Sequence, residues 1–177
     1  GAATYQAALH LMRTGAAGVL VGFGGGASST TRATLGIRAP MASAIADVAG
    51  ARSDYLDESG GRYVHVIADG GLGTSGDLIK AVACGADAVM LGSALARATD
   101  APGAGWHWGQ EAHHDDLPRG TRVHVGGVAP LAEIVNGPAH VADGTANLIG
   151  ALRRAMATTG YSELKEFQRV DIVHAQR

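Results

Sequence analysis

The sequence predicts an α/β fold with a parallel sheet, and two observations indicate it. Apolar segments of strand length alternate with segments of helical spacing, in the order helix, strand, helix, strand, helix, strand, helix. Residues 64–93 hold the clearest part of this pattern, a βαβ unit with a glycine-rich turn. Three strands cannot close a (β/α)8 TIM barrel. In a barrel, this chain would therefore supply only the C-terminal part, with three parallel strands, flanking helices and a C-terminal excursion.

The composition is that of a globular domain. The chain has 177 residues, of which 46% are hydrophobic and 17% are charged, enough for a packed core. A net charge of −2 gives no electrostatic attraction to nucleic acid, and no apolar run approaches the roughly 20 residues of a membrane span. The single cysteine, Cys84, excludes an internal disulfide, so we expect a cytoplasmic protein with Cys84 in its core. Because it opens on Gly1, we expect the chain to be a segment of a longer protein.

Two helices, one strand and a long loop are predicted before residue 64. Gly15 ends the first helix, and Pro40 suits the first turn of the second. The inward residues of the second helix are predicted to be Ile45, Val48 and Tyr55. The loop is rich in Gly, Ser and Thr and is expected to be mobile. The predicted bounds are 5–13 and 42–57 for the helices, 18–22 for the strand and 23–38 for the loop.

The central βαβ unit is predicted in more detail. Residues 64–67 form an apolar run interrupted only by His65, which is typical of a parallel strand covered on both faces. Ser75 is the predicted N-cap of the following helix and Gly85 its C-cap. Residues 88–91 form the next buried strand. The buried stripe of the helix is predicted to be Leu78, Ile79, Val82 and Ala83.

The rest of the chain divides into an excursion and a C-terminal helical part. Residues 1–98 and 143–177 are assigned to one barrel domain, and residues 99–142 to a long flap-like loop rich in Gly, Pro, His and Asp. Trp106 and Trp108 are expected to anchor this loop to the core or to another subunit.

Three short elements are predicted at the C-terminus. Residues 143–156 read as an amphipathic helix, and Ser162 as the cap of a last helix over residues 163–168. Residues 170–173 are predicted to form a terminal strand. The inward residues of the first of these helices are predicted to be Leu148, Ile149, Leu152 and Met156.

Two neighbouring strands end in small, hydrogen-bonding residues. Asp69-Gly70-Gly71 follows one strand and Gly92-Ser93 the next. Carboxyl ends of parallel strands meet at one edge, and backbone N–H groups of glycine turns approach anions closely. The turns therefore predict a phosphate site, with the Asp69 carboxylate suited to ribose hydroxyls. The alternative is a pair of tight turns without a ligand.

Other residue patterns are weaker evidence for a functional site. Gly22, Gly24 and Ala27, with Asp47 further on, suggest a dinucleotide fingerprint, but the residues after the glycines are poor helix formers. Residues 28–30 could carry a nucleophile, although no base stands near them in sequence. Arg32 could pair with phosphate or lie on the surface. A histidine- and aspartate-rich segment of the excursion could bind a metal, but a solvated loop is favoured. Its residues are His107, His113, His114, Asp115 and Asp116.

Three segments resemble the IMP dehydrogenase and GMP reductase family, in particular its actinobacterial IMP dehydrogenase-related branch. VIADGGLGTSGDLIKAVACGADAVMLGS (66–93) is similar to the phosphate-binding half of these TIM barrels. VGFGGGASSTTR (21–32) resembles their catalytic loop, and ALRRAMATTGYSELKEF (151–167) their C-terminal helical region. The resemblance covers nearly the whole chain and implies only the C-terminal portion of the barrel.

The resemblance implies a purine mononucleotide site for IMP, GMP or XMP. Asp69 matches the ligand of the ribose hydroxyls, and Thr31 the threonine beside the catalytic position. Gly24, Gly26 and Ser29 match residues whose carbonyls hold potassium in many members. The phosphate cradle matches Gly70, Gly71, Gly92 and Ser93.

The sequence departs from the family where the reaction is catalysed. In the family a loop cysteine attacks C2 of the purine, hydride passes to NAD, and water hydrolyses the adduct; Ser29 stands at the cysteine position. A serine hydroxyl is a far weaker nucleophile than a thiolate without a base. Ala27 replaces a phosphate-contacting serine, and Pro118 replaces the tyrosine of a purine-facing Tyr-Arg-Gly. No Arg-Tyr pair occurs between Thr99 and Gly160.

The expected function is therefore that of an IMP dehydrogenase-related protein of guanine nucleotide synthesis whose ordinary cysteine-dependent activity is altered. The resemblance implies NAD as cofactor and a homo-tetramer. One alternative is an NAD-linked oxidoreductase with an adapted mechanism. Others are an FMN-dependent barrel oxidoreductase and a regulatory or structural subunit without activity.

Overall fold

The computed structural model describes residues 1–108 and 121–173. Five strands lie in this part of the chain: β1 (Gly18–Val21), β2 (His65–Asp69), β3 (Ala88–Met90), β4 (Trp106–Trp108) and β5 (Arg122–His124). Eight helices accompany them: α1 (Tyr5–Arg13), α2 (Thr31–Leu35), α3 (Met41–Glu58), α4 (Ser75–Ala83), α5 (Ser93–Ala96), α6 (Leu131–Asn136), α7 (Leu148–Thr159) and α8 (Leu164–Phe167). None of these helices combines the length and apolar character that crossing a membrane requires.

The first three strands form the predicted parallel sheet, in the order β1-β2-β3. Val19 pairs with Val66 and Ala68 with Val89, so the three strands end at the same edge. The helices between them pack on one side, which confirms an α/β fold with three parallel strands and flanking helices. β4 and β5 form a separate antiparallel pair.

Two apolar clusters hold the helices on the sheet. The first joins α1 and α3 to β1 and β2; Ile45, Val48 and Tyr55 are buried in it, as the helical spacing predicts. The second lies among α4, α6, α7 and α8, with Ile134 and Leu148 fully covered. Val89 and Leu91, at the end of β3, pack against both clusters, so the two form one continuous interior.

The opposite face of the sheet is open. Val66 and Ala68 are completely buried, but His65 is exposed and Ile67 is only half-buried. On the neighbouring strand Met90 is 46% exposed. The prediction that β2 is covered on both faces is therefore wrong for the described residues, because they supply helices to one face only.

Backbone contact between two glycine-rich segments fixes the carboxyl edge of the sheet. A Cβ on Gly25 would lie 3.0 Å from the carbonyl carbon of Gly70 and 3.3 Å from the nitrogen of Gly71. Gly22 is equally confined, since a Cβ there would lie 2.5 Å from the carbonyl oxygen of Asp69. The loop after β1 can lie on the turn after β2 only because these residues lack side chains.

A buried carboxylate ties the C-terminal helix to the amino edge of the sheet. Asp87 accepts hydrogen bonds from Arg52 Nη1 at 2.9 Å, Tyr63 Oη at 2.6 Å and the Val66 N–H at 2.8 Å. Lys165 of α8 completes this Asp87 cluster through an ion pair. Burial by itself would raise the pKa of Asp87, but the hydrogen bonds from Lys165, Tyr63 and Val66 outweigh it and hold this pKa far below its usual value.

Several predicted boundaries in the first half of the chain need correction. Thr74, not Ser75, caps α4, because its hydroxyl accepts the N–H of Asp77. Gly85 lies one residue past the C-cap. The loop predicted over residues 23–38 contains α2, a five-residue helix with no buried residue, which therefore leaves no apolar periodicity in the sequence.

Corrections are larger in the second half. The helix predicted from residue 143 begins at Leu148, because Asp143 accepts the N–H and hydroxyl of Thr145 and holds a local turn instead. Glu163, not Ser162, precedes α8 as its cap. Residues 170–173 form no strand, and Val170 packs on the second cluster. The described part of the excursion contains β4, β5 and α6.

We expect Gly25→Ala to destabilise the carboxyl edge of the sheet. Its new methyl group would meet the backbone of Gly70, so the free energy of unfolding should fall by about 1–3 kcal/mol, the usual cost of overpacking. Gly26→Ala is the matched control, because the nearest atom to its Cβ lies 4.0 Å away and neither glycine has a positive φ. Urea denaturation measures both, and equal effects would contradict the argument.

We expect Asp87→Asn to lower the free energy of unfolding by about 3 kcal/mol, because it leaves Arg52 and Lys165 without their carboxylate. The folded pKa of Asp87 lies below the unfolded value of about 3.9. Its contribution is therefore complete above that value and is lost as the pH falls further.

Denaturation curves measured between about pH 5 and pH 2 should accordingly show a steeper loss of stability for the wild type than for Asp87→Asn. Glu58→Gln, which breaks the exposed ion pair with Arg13, serves as the control and should change little. Parallel pH profiles for wild type and Asp87→Asn would refute the role of the buried carboxylate.

Candidate functional site

The three parallel strands end around one cavity of about 690 Å³, here called the strand-end cavity. Most of the residues that line it come from the loop after β1 and the turns after β2 and β3, and the others from the N-terminus, the three strands, Arg97 and β4. They are Gly1, Leu20, Gly25, Gly26, Ala27, Ser28, Ser29, Asp69, Gly70, Gly71, Leu72, Gly73, Met90, Leu91, Gly92, Ser93, Arg97 and His107. The edge of the sheet where polar turns were predicted to converge is thus a concave surface.

All five residues predicted to bind a nucleotide line this cavity. Asp69 is the last residue of β2 and is half-buried, and Gly70 and Gly71 follow with positive φ values of 105° and 74°. Gly92 and Ser93 lie at the corresponding position after β3. The parallel register brings them together, because Asp69 pairs with Met90.

An imidazole ring lies against the turn after β3. His107 Nδ1 lies 3.1 Å from Ser93 Oγ, and a Cβ on Gly92 would be 3.0 Å from Nε2. The sequence associated His107 with a metal site, together with His113, His114, Asp115 and Asp116, which lie outside the described residues. Among the residues that the structure describes, no three His, Cys, Asp or Glu side chains stand close enough to share a metal ion.

Ser29 lies where the strand-end cavity meets a second one. Its N–H donates to the Gly26 carbonyl at 3.1 Å, and its hydroxyl accepts a long bond of 3.4 Å from the N–H of Thr31. Within residues 1–108 and 121–173, no carboxylate or imidazole hydrogen-bonds to this hydroxyl, so it has no base to activate it. Thr31 begins α2 and lines neither cavity.

The second cavity, of about 720 Å³, lies on the other side of the loop after β1 and is called the outer cavity. Gly24, Gly26 and Ser29 line it, as do the cationic side chains of Arg32 and Lys80. Lys80 is paired with Asp77 at 2.9 Å. Burial acts to raise the pKa of Asp77, but the hydrogen bonds from Lys80 and Thr74 outweigh it, and the net shift is downward.

The dinucleotide fingerprint finds no structural counterpart at Gly22, Gly24 and Ala27. The fingerprint requires a helix that begins at the glycines. Here the chain continues as a loop, and α2 begins only at Thr31. Asp47, the acidic residue of that pattern, is exposed on α3 and lines neither cavity.

Sequence reasoning missed three residues of the site region. Arg97 lines the strand-end cavity and donates to the Gly73 carbonyl at 3.3 Å. Thr121 donates its hydroxyl to the carbonyl of the buried Ser28 at 2.9 Å. His107 was considered only as a metal ligand or as part of a solvated loop, which was favoured. Their contacts span 14 to 93 positions in sequence, so no local spacing could indicate them.

The chain is similar in sequence to proteins of one known family. The sequence model of the protein family described as IMP dehydrogenase / GMP reductase domain matches residues 1–114. An uncharacterized oxidoreductase of Mycobacterium tuberculosis is 56% identical over 175 residues, which cover 97% of this chain and 47% of that protein. The inosine-5'-monophosphate dehydrogenase of Methanocaldococcus jannaschii is 35% identical over 190 residues, covering 94% of this chain and 37% of that enzyme.

A solved structure agrees in fold. The crystal structure of an IMP dehydrogenase/GMP reductase-like protein from Corynebacterium glutamicum superimposes with a TM-score of 0.88 at 51% identity. The match covers 97% of this chain and 45% of that one. The chain thus spans about half the length of the mycobacterial relatives it matches. Since the family model matches more than half of its residues, this chain belongs to the IMP dehydrogenase / GMP reductase family.

Proposed function

We propose that the strand-end cavity binds a purine mononucleotide, IMP, GMP or XMP, in an oxidoreductase related to IMP dehydrogenase. The observation that carries the proposal is the convergence of Asp69 and the two glycine turns on one cavity. Such a cavity offers carboxylate oxygens for a diol beside backbone N–H groups for an anion. Family membership supports the same assignment.

Each end of the nucleotide has its own part of the site in this proposal. The Asp69 carboxylate accepts hydrogen bonds from the two ribose hydroxyls at the end of β2. The phosphate lies at the Gly70-Gly71 and Gly92-Ser93 turns, where the absence of side chains lets the backbone approach an anion. Arg97, which lines the same cavity, adds a positive charge.

Ser29 occupies the position from which a nucleophile would attack the purine. Among the described residues its hydroxyl has only the long contact with the Thr31 N–H, so little in this part of the chain holds or activates it. We therefore propose that the site has kept nucleotide binding while the cysteine-dependent reaction is lost or much slowed. NAD is the hydride acceptor that the family resemblance implies, and the loop after β1 would not hold it as a dinucleotide fingerprint does, because no helix begins at its glycines.

The proposal includes a potassium site formed by the loop after β1. The residues concerned, Gly24, Gly26 and Ser29, all line the outer cavity. The Gly26 carbonyl already accepts the N–H of Ser29, which leaves one lone pair for a cation. A cation there would draw oxygens from one short loop and stiffen it beside Ser29.

Calorimetric titration of the full-length protein with IMP, GMP and XMP tests the binding proposal. We expect at least one of them to bind, and Asp69→Asn to weaken it tenfold or more, because a charged acceptor of two hydrogen bonds is lost. Asp47→Asn is the control and should bind as the wild type does, since Asp47 lines neither cavity. Absence of binding of all three nucleotides to the wild type would refute the proposal.

Ser29→Cys tests the loss of the nucleophile. A thiolate at this position should restore NADH formation from IMP, followed by absorbance, above the rate of the wild type. Ser28→Cys, a cysteine one residue away on a buried side chain, should not. If the wild type already matches Ser29→Cys, the serine enzyme has an adapted mechanism and our assignment of Ser29 is wrong. A purified protein with a flavin spectrum would favour the FMN alternative.

A further inference from the structure

His107 reaches the nucleotide cradle from an element far along the chain. Its ring spans the turn after β3, with Nδ1 at 3.1 Å from Ser93 Oγ. The Cε1–Nε2 edge lies so close to Gly92 that a Cβ there would be 3.0 Å from both atoms. A Cβ at Gly92 would crowd this ring, so the glycine leaves room for the imidazole.

The pairing of β4 with β5 explains why this side chain lies at the cavity. Side chains alternate between the two faces of a strand. His107 and its partner Val123 share one face, and His107 lines the strand-end cavity. Trp106 and Trp108 lie on the other face, where the Arg122 guanidinium stacks at 4.6 Å and 5.5 Å from their ring centroids.

The tryptophans are 39% and 46% exposed, so within this chain they do not anchor the strand to the core, which was one of the two expected roles. The other, contact with another subunit, stays a prediction. Their stack with Arg122 and the ladder with β5 fix β4 from the outer side. Contacts on the outer face of β4 thus fix the strand, and His107 on the opposite face lies at the strand-end cavity.

The hydrogen bonds of the ring leave one nitrogen available. Ser93 Oγ occupies Nδ1, and no hydrogen bond to Nε2 is found among the described residues. When the Ser93 hydroxyl donates to Nδ1, the neutral ring carries its proton on Nε2, which then becomes a donor at the Gly92 turn. The charged side chains that line the same cavity are Asp69 at the end of β2 and Arg97 after α5.

We propose that His107 is a phosphate-binding residue of the nucleotide site, with its Nε2–H donating to a phosphate oxygen held at the Gly92-Ser93 turn. This inference rests on the proposed function and adds a residue to it. The Nδ1 contact with Ser93 aims the ring, and in the proposed tautomer the Ser93 hydroxyl donates to Nδ1. The Asp69 carboxylate, from the neighbouring strand, stays free for the ribose.

The test compares IMP with inosine, which lacks the phosphate, by calorimetry on the full-length protein at neutral pH. His107→Phe keeps the ring shape and removes both nitrogens. We expect it to weaken IMP binding about tenfold, the worth of one hydrogen bond to a charged group, and to leave inosine binding unchanged. His107→Gln, whose amide can still donate, should recover part of the loss.

His124→Phe is the matched control, because His124 belongs to the same antiparallel pair but stacks on Trp106 at 4.9 Å on the outer face. It should leave both affinities as they are. Equal losses in the two Phe variants would indicate a structural role for the antiparallel pair and overturn the inference. Tighter IMP binding by His107→Ala, which removes the ring, would also overturn it, since the ring would then occupy the space of the phosphate.

A second probe separates this inference from the proposed function. Inorganic phosphate added to ¹⁵N-labelled protein should shift the imidazole Nε2 resonance of His107 and leave that of His124 in place. If IMP fails to bind while phosphate still shifts His107, the proposed function falls and the anion site stands. If IMP binds the wild type and His107→Phe equally, the proposed function stands and the role of His107 in phosphate binding falls.

Discussion

Contact between two backbones, without side chains between them, holds the candidate site together. The loop after β1 lies directly on the turn after β2, with Gly25 against Gly70 and Gly71. Both segments follow strands that end at the same edge of the sheet, so the register of the parallel strands decides where they meet. The exclusion of side chains leaves backbone N–H groups at the cavity wall, where an anion can reach them.

The two edges of the sheet are stabilised by different means. At the carboxyl edge, glycines provide close approach and few strong interactions. At the amino edge, Asp87 gathers Arg52, Tyr63, Lys165 and the Val66 N–H into one buried network that reaches α8. Barrel proteins commonly separate stability from function in this way. The candidate site lies at the edge that the glycines shape, and the buried polar network lies at the other edge.

The sequence predicted those parts whose signal is local. The bounds of α1 and the buried stripe of α3 follow from helical spacing, and the turns after β2 and β3 follow from glycines placed after apolar strands. α2 was not predicted because a short exposed helix has no apolar periodicity. The start of α7 was misplaced because the side chain of Asp143 competes with the helix for backbone N–H groups. His107 was misread because a three-residue strand shows no alternation, and its contact with Ser93 depends on tertiary structure.

The excursion touches the strand-end cavity on both sides. In β4, His107 lies against the turn after β3. Just before β5, the Thr121 hydroxyl donates to the carbonyl of Ser28 in the loop after β1. The pairing of β4 with β5 joins these two parts of the excursion, so one short ladder carries both contacts. The strand-end cavity thus has walls from two sources. Backbone contact between glycine segments forms the wall at the ends of β1 and β2, and the antiparallel pair supports the contacts at Ser93 and Ser28 from outside the parallel sheet.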